Sequence, residues 1–168
     1  MNQTGQLTRT ALLVALTLVL QGIRLVLPVP PQVSLFFIGS LVNACLVVAA
    51  LRLKGNGWIA IAIITPIFAW LEGMLPFPLF IPLVAIGNLV YIIILRLFKS
   101  SSRSLGNILA VIVKTIVLFG GFTLLFMCIN VPPKVSKMIL FAMSWPQLIT
   151  GTLGIVIGRL VSSYISET

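Results

Sequence analysis

Two glutamates, Glu72 and Glu167, are the only carboxylate side chains in this chain of 168 residues, and neither Asp nor His occurs. Catalytic triads, zinc sites and magnesium clusters are built from those missing types, so the sequence reads as a non-enzyme with no resident metal or cofactor. Cys45 and Cys128 lie in separate apolar runs without CxxC spacing and read as packed thiols. The chemistry that remains is recognition. Asn43, Asn88, Tyr91 and Gln147 fall inside apolar runs, where amides and hydroxyls demand partners. Asn43 reads chiefly as glue between helices. Asn88 and Gln147 are read either as interhelical glue or as ligand contacts, and they are the better ligand candidates because both fall toward the outer half, below the proline-rich connections; their amides donate and accept, which suits a heteroaromatic or hydroxylated solute. Glu72 follows Trp70 at the end of an apolar run. Either it is a hydrated rim carboxylate, or Trp70, Glu72, Trp145 and Gln147 line one concave mouth. Asn130 either caps a helix end or meets a ligand. Lys114 lies about 13 Å into its run; either its long stem carries the ammonium back to the interface, or the charge faces a cavity and meets an anionic group.

These groups need a scaffold, and the composition specifies which kind. The chain is 60% hydrophobic and 8% charged, whereas about a quarter of the residues of a soluble domain are charged. Apolar runs near 9–27, 33–51, 57–75, 79–98, 105–129 and 138–161 are each long enough to cross a hydrocarbon core of about 30 Å. The expected architecture is all-α: one polytopic membrane domain over residues 1–168 with six transmembrane helices. The first run follows a basic TRT as a signal peptide would, but no A-x-A site follows, and it reads as a membrane helix. Proline marks the odd connections; Gly, Ser and basic residues mark the even ones. Arg9, Arg52, Lys54, Arg96, Lys99, Arg103 and Arg159 fall on the side of the even connections and the termini, against Arg24, Lys134 and Lys137 on the other. The positive-inside rule then places both termini in the cytoplasm of a multi-pass cell-membrane protein. The net charge of +9 is scattered singly at helix ends, which argues against a nucleic-acid partner. Trp58 reads as an interfacial anchor. Pro66 is expected to kink the third helix and Gly120-Gly121 to loosen the fifth. Ala11 and Ala15 form a small-residue face on the first helix, and Gly151, Gly154 and Gly158 form narrow surfaces on the last.

The size, the six spans and the inward termini, together with ALLVALTLVL, IRLVLPVPPQVSLFFIGSLVNA, TPIFAWLEGMLPFPLFIPLVAIGN and SWPQLITGTLGIVIG, resemble the substrate-binding S component of energy-coupling factor vitamin transporters. That resemblance implies a subunit that captures a small water-soluble vitamin or precursor outside and joins a transmembrane T component and two ABC-type ATPase subunits. The absence here of G-x-x-x-x-G-K-[ST] agrees with ATP hydrolysis residing in partners. By the resemblance, Ala11 and Ala15 match the coupling face, Pro28, Pro30 and Pro31 belong to a gating connection, and the ligand site draws on Glu72, Asn88, Tyr91, Asn130, Trp145 and Gln147. Among the vitamins, pyridoxine or hydroxymethylpyrimidine suits an amide-rich pocket, and pantothenate follows if Lys114 faces it. Two other classes stay open: an independent secondary transporter or facilitator, and a structural membrane component.

Overall fold

The computed structural model describes residues 3–26, 30–100 and 102–165. Among these the chain is helical throughout: α1 (Gln3–Val26), α2 (Pro31–Arg52), α3 (Gly57–Leu71), α4 (Ile81–Leu97), α5 (Arg103–Cys128), α6 (Pro133–Ala142) and α7 (Trp145–Tyr164), with a 3-10 turn at Pro78–Phe80 leading into α4. Among the described residues five segments are long and apolar enough to cross a membrane, α6 and α7 together forming one of them. The chain is a multi-pass helical membrane protein. Helix α3 is apolar but has 15 residues, about 22 Å of helix against a hydrocarbon core of about 30 Å.

Two expected boundaries move, and the chain chemistry explains both. The third run was expected to reach residue 75, but α3 ends at Leu71. Gly73 there takes a left-handed φ of 77°, and the Ala69 carbonyl accepts from Met74 N and Leu75 N to close the end. The last run, expected as one helix over 138–161, breaks between α6 and α7. Pro146 sits in the first turn of α7, where its missing N–H costs nothing to α7 but withholds a donor from Ala142, four residues back. By contrast, α3 continues through Pro66 and α5 through Gly120 and Gly121.

Helix α2 occupies the centre. Its 44–50 stretch is wholly buried, as expected of a helix apolar on every side, and it packs most extensively on α7 and also on α1, α3 and α4. Small residues permit the closest of these approaches: a Cβ added at Gly158 would lie 2.6 Å from Val47 Cβ and 2.8 Å from the Ala44 carbonyl oxygen. Helix α1 is peripheral, burying only Thr17 and Gln21 and leaving Leu7, Leu12, Leu16 and Val19 exposed for lipid. Of the two cysteines, Cys45 is packed as expected; Cys128, at the end of α5, is exposed.

The core is divided. One apolar cluster contains Leu46, Val47, Ile61, Tyr91, Leu95, Ala110 and Ile155, and another contains Leu75, Phe80, Leu118, Phe122, Ile139 and Met143. Between them on their helices lie Asn43, Thr65, Asn88, Lys114 and Thr150, all buried. This polar layer is the structural setting of the site.

Candidate functional site

The polar layer surrounds a cavity of about 160 Å³. Gln21 and Arg24 of α1, Asn43 of α2, Thr65 of α3, Asn88 of α4, Lys114 of α5, and Gln147 and Thr150 of α7 supply its polar lining, and Leu75, Ile139 and Met143 part of its apolar wall. Every long helix thus contributes, so the cavity forms only when the whole bundle closes.

Two prolines organise its amides. Pro66 cannot donate to the Ala62 carbonyl one turn earlier; Asn88 Nδ2 lies 3.4 Å from that oxygen and also donates to Thr65 Oγ1 at 3.1 Å. Gln21 Nε2 reaches the neighbouring Thr65 carbonyl at 3.2 Å. Pro146 repeats the device: Ala142 loses its helical donor, and Gln147 Nε2 takes the place at 3.0 Å. Asn88 and Gln147 therefore satisfy broken backbone while standing at the cavity wall. Interhelical bonding and ligand contact, treated as alternatives in the sequence, are both open to the same side chain.

Lys114 does not reach back to the interface. It is 4% exposed, its Nζ donates to Asn43 Oδ1 at 2.6 Å, and it stands 4.9 Å from the centre of the Tyr91 ring, within cation–π range. The Tyr91 hydroxyl in turn donates to the Gly151 carbonyl at 2.7 Å, which fixes the ring beneath the ammonium. Asn43 Nδ2 donates to Thr150 Oγ1 at 3.3 Å. One amide thereby joins Lys114 of α5 to Thr150 of α7, the interhelical role expected of Asn43, and Asn43 also lines the cavity.

Of the other residues expected from sequence, Glu72 forms an ion pair with Arg24, Oε2 to Nε 3.3 Å, with its side chain 1% exposed. It is buried rather than hydrated, and it reaches the cavity through Arg24. Tyr91 supports Lys114 from below. Trp70 and Asn130 are exposed, as is Trp145, which packs against Phe36 and Phe141; none of these three lines the cavity. Pro30 is the exposed residue before α2 and Pro31 its first residue, whereas Pro28 lies outside the described residues. Ala11 and Ala15 are exposed on α1.

Sequence reasoning passed over Gln21, Arg24, Thr65 and Thr150. A signal existed for α1: Thr17, Gln21 and Arg24 recur at i, i+4 and i+7, a polar stripe on one face of an otherwise leucine-rich helix. For Thr65 the signal is the following proline, which frees backbone acceptors around it.

At the opposite end of the bundle a larger groove of about 750 Å³ carries Arg9, Arg52, Lys54, Arg96 and Lys99. Several of its cations hold helix ends. Arg52 donates to Ser162 Oγ at 2.8 Å, Arg96 to the Leu53 carbonyl at 2.9 Å and Lys99 to the Leu51 carbonyl at 2.9 Å, as cations near helix C-termini do. The buried layer, drawn from six helices, is the better candidate site. Compared with known protein families, curated proteins and solved structures, the chain matches none.

Proposed function

We propose that the chain is the solute-capturing subunit of an ATP-driven importer of the energy-coupling factor type. In this reading the bundle crosses the membrane six times, with α3 as a short span and α6–α7 as a broken one, and the basic end that carries Arg9, Arg52, Arg96 and Lys99 faces the cytoplasm. The cavity then opens toward the outside, where it takes a small water-soluble vitamin or precursor. The observation that carries the reading is the polar cavity itself: eight polar side chains from six helices converge on one space inside an apolar bundle, an arrangement that membrane proteins reserve for solute and ion sites. Its volume of about 160 Å³ compares with the ~150 Å³ cavity that holds benzene, so it seats about one ring, as pyridoxine and hydroxymethylpyrimidine offer, or part of a longer chain such as pantothenate. Release would require partners, a T component and two ABC-type ATPases, because this sequence carries no phosphate-binding loop.

The test is purification of the full chain in nanodiscs followed by native mass spectrometry for a retained solute and copurifying subunits, with uptake measured in proteoliposomes. Saturable binding, with accumulation only when the T component and ATPases are present, is expected. Concentrative uptake by this chain alone would show an independent transporter; no bound solute with a stable protein partner would show a structural component.

A further inference from the structure

The cavity holds a buried lysine for which the described residues supply no counter-ion. Two cations line it, Arg24 and Lys114. Arg24 is paired with Glu72, and Glu72 is the one acidic side chain among the described residues. Lys114 is left with a neutral amide oxygen and an aromatic face. Both are acceptors, so the surroundings orient an ammonium without neutralising it. An isolated ammonium at this depth is costly: it is held by an anion or by water, or it gives up its proton.

The remaining hydrogen-bond capacity points the same way. Asn43 Oδ1 engages one of the three N–H donors of Lys114. Thr150, which accepts from the other end of the same amide, keeps its own O–H to donate. A carboxylate seated between these two groups would accept from both and complete the charge. Gln21, another lining residue, has its Oε1 buried without a partner, an acceptor for which the described residues supply no donor. A ligand N–H or O–H answers it.

Resting on the reading of this cavity as a solute site, we infer that its ligand is a compact organic monoanion, its carboxylate held by Lys114 and Thr150 and a donor group of its body held by Gln21. The cavity takes about one ring beside the charged group. Neutral vitamins of the same size satisfy the volume but leave Lys114 unanswered.

The test sets charged against uncharged forms of the same skeletons, with the full chain in nanodiscs: nicotinate against nicotinamide, pyridoxate against pyridoxine, and pantothenate against panthenol, each by calorimetry and thermal shift. The molecule retained through purification is identified in parallel. Expected is a carboxylate that binds at least tenfold tighter than its neutral counterpart, or a retained molecule that is a monoanion. Lys114→Met, close in shape but uncharged, should erase the discrimination while the protein melts as cooperatively as the parent; Lys114→Gln serves if the methionine variant does not fold. Equal binding of a neutral form, a retained molecule that is neutral or cationic, or discrimination that survives both substitutions overturns the charge inference and leaves solute capture standing. Binding of none of the six compounds, with no molecule retained, overturns both.

Discussion

The ion pair of Arg24 and Glu72 is the site's most exacting residue-scale feature. Neither Glu72 oxygen has a hydrogen-bond donor, so the carboxylate is stabilised only by the Arg24 guanidinium 3.3 Å away. Burying a charge is tolerated when its partner is present and severe when it is removed. Glu72→Gln and Arg24→Met are each expected to lower stability by about 3 kcal/mol, and the double variant to recover most of that loss, since the two neutral side chains no longer demand each other. Melting of the four proteins in nanodiscs measures the cycle. If Glu72 instead contacts solute directly, Glu72→Gln will weaken binding while its melting stays near that of the parent, and the cycle will show no coupling. The same reasoning explains why this carboxylate misled: from the sequence its nearest landmarks are Trp70 and a proline-rich connection, whereas its partner lies on α1, 48 positions earlier in the chain.

At the scale of elements, α2 and α7 form the closest pair, and glycine sets their distance. A methyl group at Gly158 would meet Val47 and the Ala44 carbonyl, and neither a β-branched side chain held at χ1 nor helix backbone gives way readily. Gly158→Ala is therefore expected to destabilise by about 1–3 kcal/mol. Gly120→Ala, in the middle of α5 where a Cβ meets nothing within 4 Å, should raise stability by up to about 1 kcal/mol through helix propensity alone. Opposite shifts in melting temperature are the expected result; equal shifts would mean that the α2–α7 contact is slack. Elements were the most legible part of the sequence, because 17 or more apolar residues between polar punctuation leave few alternatives to a membrane helix. Lys114, Asn88 and Gln147 stood out for the same reason, as polar groups against an apolar background. What did not show was how prolines act across helices: Pro66 and Pro146 are local signals, but the amides that answer them depend on packing. The run at 138–161 looked continuous because hydropathy is blind to a missing N–H.

For the molecule as a whole, the division of labour among helices bears on how such a bundle is used. The cavity lies within the bundle, and α1 contributes only its Gln21 and Arg24 end to it. The remainder of α1 is mostly exposed, with Ala11 and Ala15 on its outer side and nothing packed on Gly22 within 4 Å of where a Cβ would be. A leucine-rich helix facing lipid alone has no use for small residues in register, whereas a second membrane helix approaches closely over them. If α1 is the surface through which a T component holds this subunit, Ala11→Trp and Ala15→Trp will separate two properties that a packing defect would change together. Solute affinity in nanodiscs and melting temperature should stay within twofold and about 2 °C of the parent, since neither side chain supports the core. Copurification of partner subunits, and ATP-dependent uptake in proteoliposomes containing them, should fall at least tenfold. Gly120→Trp, on another helix, is the matched control for bulk in the bilayer and should leave assembly intact. Uptake undiminished by either alanine substitution would place the coupling surface elsewhere and leave α1 as a lipid-facing wall of the cavity.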